Sequence, residues 1–191
     1  MESKYPYKAL YKYIPSRYED LEPWQQKNQR TVLDFKEGKV RDIDLKRIAT
    51  KIRKLAWRPD DNWVIGFVPA HTNEDTVKRF SLLAGYLKDN LSIPVCLDSI
   101  HNYEDYDPVH TKGENTFKLH SFIRSHFEGK NVILIDDIIT SGKSFRTIGD
   151  KLMYSGALSI HGVIFAMTIH PDKPVKEGYN RTLKQRKMNT T

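Results

Sequence analysis

The stretch NVILIDDIITSGKSF, residues 131–145, constrains the fold more than any other part of the chain. Val132 to Ile135 form an unbroken apolar run, and Asp136 and Asp137 follow it directly. A short apolar run without alternation suits a strand buried on both faces, as in a parallel sheet covered by helices. Small polar residues, Thr140 to Ser144, then break the run, and KSFRTIGDKLMYSG continues as a helix that stops at Gly156. In an open parallel sheet, ligands bind beyond the carboxyl ends of the strands. The chain therefore places two carboxylates and a small-residue turn where a ligand is expected.

The rest of the sequence alternates in the same way. Ile43, Leu45, Ile48, Ile52 and Leu55 recur at helical spacing, and Pro59 closes that segment. WVIGFVPA (63–70) reads as a buried strand, and HTNEDTVKRFSLLAGYLKDN (71–90) as a helix capped by Thr72 or Asn73. Its apolar face comprises Val77, Phe80, Leu83, Ala84 and Leu87. IPVCLDSI (93–100) suggests another strand, TFKLHSFIRSHF (116–127) a short helix, and ALSIHGVIFAMTIH (157–170) a last strand. Residues 101–115 are polar and aperiodic, the mark of a long functional loop. The expected class is α/β, a mostly parallel, Rossmann-like open sheet flanked by helices.

The 191 residues favour one domain, and no apolar run is long enough for a membrane span. The N-terminus has no apolar signal region, so a cytoplasmic protein is expected. The single cysteine, Cys96, excludes an internal disulfide. Net charge is +7, with Arg181, Lys184, Arg186 and Lys187 concentrated in the tail. Such a balance suits a polyanionic small substrate, nucleic acid or simply a solvated surface. Three parts are expected: an aromatic extension at 1–32, a core at 33–171 and a basic tail at 172–191. The extension carries Tyr5, Tyr7, Tyr11, Tyr13, Tyr18 and Trp24, too many aromatics for a disordered arm.

A turn that opens a helix presents free backbone N–H groups and the positive end of the helix dipole, a natural phosphate site. Thr140, Ser141 and Ser144 add hydroxyl donors, and Gly142 permits close approach. An ATP-binding Walker A loop would need glycine five places before Gly142, where this chain has Asp137. A carboxylate there would repel nucleotide phosphates. A ligand with a phosphate at one end and a vicinal diol at the other satisfies both halves of the stretch.

The pattern of four apolar residues, Asp-Asp, two residues, Thr, a small residue, Gly, one residue and Ser resembles the binding motif of type I phosphoribosyltransferases, over a likeness covering roughly residues 33–170. That resemblance implies transfer of the phosphoribosyl group from 5-phosphoribosyl 1-pyrophosphate (PRPP) to a small nitrogenous acceptor, with release of pyrophosphate. It implies that Asp136 and Asp137 hold the ribose diol and balance charge at C1′. Thr140, Ser141, Gly142, Lys143 and Ser144 would take the 5′-phosphate. Mg²⁺ would be held through PRPP rather than by direct protein ligands. Ala70 and His71 would meet the pyrophosphate, although His71 also suits the start of the following helix. A lid over residues 101–118 would carry His110, Lys112 and Lys118 as candidate cations, without distinguishing among them.

Within the family, hypoxanthine-guanine enzymes carry an Asp where this chain has Thr140, and the pattern is most similar to ComF-like relatives of amidophosphoribosyltransferases. The cysteines some of those proteins carry at the N-terminus are missing here. The aromatic segment would then serve as a hood over the acceptor, pack elsewhere, or join two chains of a homodimer. A PRPP-sensing regulator without turnover and a ComF-like DNA-handling protein are the alternatives; nucleic acid is not favoured as a partner.

Overall fold

A computed structural model of the chain describes residues 4–57, 62–102 and 120–172. The elements run β1 (Tyr7–Tyr13), α1 (Pro23–Lys36), α2 (Asp42–Leu55), β2 (Trp63–Phe67), α3 (Asn73–Asn90), β3 (Val95–Cys96), β4 (Ile100–Asn102), β5 (His120–Phe122), β6 (Asn131–Ile139), α4 (Lys143–Tyr154) and β7 (Ser159–Thr168). Five strands form one sheet in the order β1-β7-β6-β2-β3, and every pair in it is parallel. β4 and β5 form a separate antiparallel pair.

The central strand β6 is apolar because both of its faces are covered. Ile133 and Ile135 meet Phe35 of α1, Ile48 and Ile52 of α2, and Phe80 and Leu83 of α3. Val132 and Leu134 face Phe145, Ile148 and Leu152 of α4. Each such side chain, fully buried, contributes about 1.5–3 kcal/mol of transfer free energy. Helices therefore cover both faces of a parallel sheet, as the alternation of patterns implies.

The N-terminal segment departs from expectation. Residues 7–13 are no extension; they form the edge strand of the main sheet, paired with β7 from Tyr7↔Gly162 to Tyr13↔Thr168. Tyrosine suits a half-buried pleated surface. The rings dock inward: Tyr11 lies 5.2 Å from Phe165, and Tyr7 lies edge-on to Phe145 at 6.2 Å. A Cβ on Gly162 would come within 2.5 Å of Tyr7 Cβ and 2.7 Å of Phe145 Cζ, so β1 needs glycine beside it. Lys8 and Lys12 are exposed on β1, charges that discourage further strand addition at a sheet edge. The boundary drawn at residues 32–33 falls inside α1, a helix opened by a capping box between Glu22 and Gln25 with Pro23 at its first position.

Three smaller expectations are corrected. Of residues 93–100, only Val95–Cys96 joins the main sheet; a 3₁₀ turn over Leu97–Ser99 then hands the chain to β4. Of residues 116–127, the described part, 120–127, has β5 and a 3₁₀ turn at Arg124–His126 instead of a helix, because His120–Phe122 pairs with Ile100–Asn102. Short apolar runs do not distinguish strand from helix until a partner is present. On α3, Val77 is exposed and Thr76 is buried in the helix face. The lid residues His110, Lys112 and Lys118, and the tail beyond residue 172, lie outside the described residues.

Candidate functional site at the carboxyl ends of the strands

The site arises where one strand outlasts its neighbour. β2 pairs with β6 only as far as Phe67↔Ile135, with Val68 N–H donating to the Ile135 carbonyl at 2.8 Å. β6 continues to Ile139 against β7 alone. Asp136 and Asp137 occupy this overhang and satisfy its backbone themselves. Asp136 Oδ1 accepts from Asp137 N–H at 2.8 Å, and Asp137 Oδ1 accepts from Ile138 N–H at 2.6 Å. Both residues are buried. Burial, and secondarily the charge of Asp137, push the Asp136 carboxyl well above the usual carboxylate range.

Asp137 has a cationic partner. Arg79, on α3, donates from Nη1 to Asp137 Oδ2 at 2.6 Å, and its Nε is buried without a hydrogen-bond partner. Of the two adjacent cations on that helix, Lys78 is exposed and pairs with Glu37, so only Arg79 enters the site.

The turn between β6 and α4 opens a helix, a geometry that suits an anion. Gly142 sits at φ +71°, a left-handed conformation that favours glycine, and it begins α4 without any side-chain cap. No acidic residue occupies the first turn of that helix. Thr140, Ser141, Lys143 and Ser144 are exposed around it. Thr140 is tied to β7 through its hydroxyl, 2.8 Å from that of Thr168.

A cavity of about 350 Å³ joins these parts. It is lined by Asp136 and Asp137, the whole turn from Thr140 to Ser144, Ala70 and His71 at the end of β2, and Arg79. The structure thus brings together all the expected site residues that lie among those described. Among the described residues, no cluster of three or more His, Cys, Asp or Glu could hold a metal ion. Both Asp137 oxygens and one Asp136 oxygen are already engaged by Arg79 and the backbone, which suits a divalent cation held through its ligand rather than by these side chains.

Residues outside the motif also shape the cavity. Asn102, buried at the end of β4, donates from Nδ2 to the carbonyls of Ala70 and His71 at 2.8 and 2.9 Å. Thr76 accepts the Ala70 N–H at 2.9 Å. The 70–71 turn is therefore clamped from two elements. Lys36, the last residue of α1, lines the same cavity. Neither Asn102 nor Lys36 has a local sequence signal, since each reaches the site only through the packing of a distant element.

The chain is 33% identical over 109 residues to the bifunctional protein PyrR of Haemophilus ducreyi, a match covering 53% of this chain and 54% of that protein. The chain resembles the type I phosphoribosyltransferases. The match spans about half the length of this curated relative. Solved structures similar to the phosphoribosyltransferase-like chain include a hypoxanthine-guanine phosphoribosyltransferase from Bacillus anthracis, at 16% identity and TM-score 0.44, covering 74% of this chain and 79% of that one. A glutamine PRPP amidotransferase from B. subtilis, complexed with ADP and GMP, aligns at 19% identity and TM-score 0.46, covering 70% of this chain and 30% of that one. No family model matches the sequence. None of these relatives bears on the narrower ComF-like assignment.

The aromatic segment does not form a hood along its length, because Tyr7–Tyr13 is committed to the sheet. Only the residues after β1 reach the carboxyl edge. There His170 Nδ1 lies 3.0 Å from Arg17 Nη2 and 3.2 Å from the Tyr18 hydroxyl. Among the described residues no helix is long and apolar enough to cross a membrane.

Proposed function

We propose that the protein transfers the 5-phosphoribosyl group from PRPP to a small nitrogenous acceptor. The observation that carries this reading is the single cavity holding an uncapped helix N-terminus at one end and the Asp136–Asp137 pair beside it. A phosphate in the turn and a ribose diol on the carboxylates match that spacing of donors and acceptors.

In the reaction, the bond from C1′ to the pyrophosphate oxygen breaks and pyrophosphate leaves with the electron pair. A bond from C1′ to the acceptor nitrogen forms, and the acceptor's proton passes to solvent. Pyrophosphate is already a good leaving group, so the protein mainly orients, stabilises charge and excludes water. The turn from Thr140 to Ser144 anchors the 5′-phosphate. Asp136 and Asp137 accept from the ribose hydroxyls and offset positive charge at C1′. The clamped Ala70–His71 turn lies on the pyrophosphate side. Mg²⁺ held through PRPP would supply charge neutralisation to the leaving group, while Asp136 and Asp137 keep the diol that carries it.

Calorimetric titration with PRPP, followed by pyrophosphate release over a panel of nitrogenous bases and amines, tests the proposal. Saturable PRPP binding and acceptor-dependent release are expected. Absence of PRPP binding would remove the proposal, and binding without release for any acceptor would favour a sensing role.

A further inference from the structure

The donor site carries a cation that the family-like motif does not supply. Lys36 closes α1 and lines the cavity from the face of the sheet opposite α4. The residue before it, Phe35, is fully buried and stacks on Phe165 at 3.9 Å with planes 16° apart. The residues after it lock the helix end onto α3. Gly38 adopts φ +78°, and a Cβ there would lie 2.3 Å from the Lys78 carbonyl oxygen. Glu37 meets Lys78 Nζ at 2.6 Å, although this exposed pair adds little by itself. The backbone at Lys36 is therefore held at the cavity by the buried Phe35 before it and the close Gly38–Lys78 contact after it. Among the described residues, no ion pair engages it.

The arrangement of charge assigns Lys36 a place along the ligand. The phosphate cradle opens α4, whose apolar face packs with Val132 and Leu134. Lys36 and Arg79 come from α1 and α3, which pack on the other face with Ile133 and Ile135. A ligand laid across the end of β6, with its 5′-phosphate in the 140–144 turn, directs its far end toward these two cations. Arg79 is already spent in part on Asp137. We infer that Lys36 binds the pyrophosphate end of the phosphoribosyl donor, and this rests on the donor reading above. Its single ammonium acts as a point charge on a flexible stem and does not need the planar fork of arginine.

Calorimetry of wild-type protein, Lys36→Gln and Lys36→Arg with PRPP and with ribose 5-phosphate tests this directly. Lys36→Gln should weaken PRPP by about tenfold or more and leave ribose 5-phosphate within about twofold, as expected for loss of one charge-assisted contact. Lys36→Arg should retain most of the PRPP affinity. A thermal melt of each variant shows whether the α1 end stays docked. Unchanged PRPP affinity in folded Lys36→Gln, or equal loss of both ligands, would overturn the assignment. Wild-type protein that binds no PRPP would overturn the donor reading itself, which separates the two failures.

Discussion

Arg79 Nη1 and Asp137 Oδ2 meet at 2.6 Å across the gap left where β2 ends, with side chains only 16% and 11% exposed. The pair holds α3 against the overhang of β6 and compensates one of two adjacent buried carboxylates. Removing one member of a buried pair strands the other. Arg79→Ala should therefore destabilise the fold by about 3–5 kcal/mol near neutral pH. Urea unfolding of the variant against wild type reads the loss, and a change below about 1 kcal/mol would contradict the argument.

Asp136 predicts a trade between stability and binding. Its carboxyl is raised by burial first and by Asp137 second. A carboxyl that titrates higher in the folded state than in the unfolded one holds its proton more tightly when folded. Stability is then lost as pH rises from the ordinary carboxylate range through the raised value. Asp136→Asn should melt at a higher temperature than wild type at pH 8, with the gain fading toward pH 4. The same variant should bind PRPP at least about tenfold more weakly, because the diol loses a charged acceptor. Melting curves across pH and calorimetry check the two halves separately.

The clamp on the 70–71 turn gives a third expectation. Asn102→Ala removes donors to the Ala70 and His71 carbonyls and leaves two acceptors beside the cavity. The cost to stability should be on the order of 1–3 kcal/mol. If the turn contacts pyrophosphate, the variant should raise the KM for PRPP more than it lowers kcat. Steady-state kinetics with a saturating acceptor would show this, and an unchanged KM would detach the turn from the donor.

Truncation tests the N-terminal strand. Deleting residues 1–24 removes β1, with its register on β7, and the buried side chains of Tyr5 and Ile14. The truncated chain should lose its cooperative thermal transition rather than only its acceptor specificity. A sharp calorimetric transition near the wild-type temperature would show that β1 is dispensable.

A crystal grown in sulfate offers the simplest check on the anion cradle. Sulfate should occupy the turn from Thr140 to Ser144, where Gly142 gives the helix start no side-chain cap and Ser141 Oγ reaches the Lys143 N–H only at 3.4 Å. An accessible but empty turn would argue against the phosphate assignment.

The DD motif, the turn and the parallel core were legible because each is local. A both-faced buried strand needs consecutive apolar residues, as in Val132–Ile135, and a helix opening at Gly142 needs a break at once. Ala70 and His71 were named through the family resemblance, and they line the same cavity. What stayed hidden depends on neighbours distant in sequence. Tyr7–Tyr13 has the composition of a strand, but only Gly162 and the groove beside β7 decide that it joins the sheet. Residues 116–127 contain apolar groups compatible with a helix, and the pairing of His120–Phe122 with Ile100–Asn102 selects the strand. The sequence alone determined that two carboxylates and a small-residue turn stand side by side, since they are contiguous side chains. Tertiary structure decided which charges face them: Arg79 arrives on α3 and Lys36 on α1, brought to one cavity by burying Phe80 and Phe35 in a shared core.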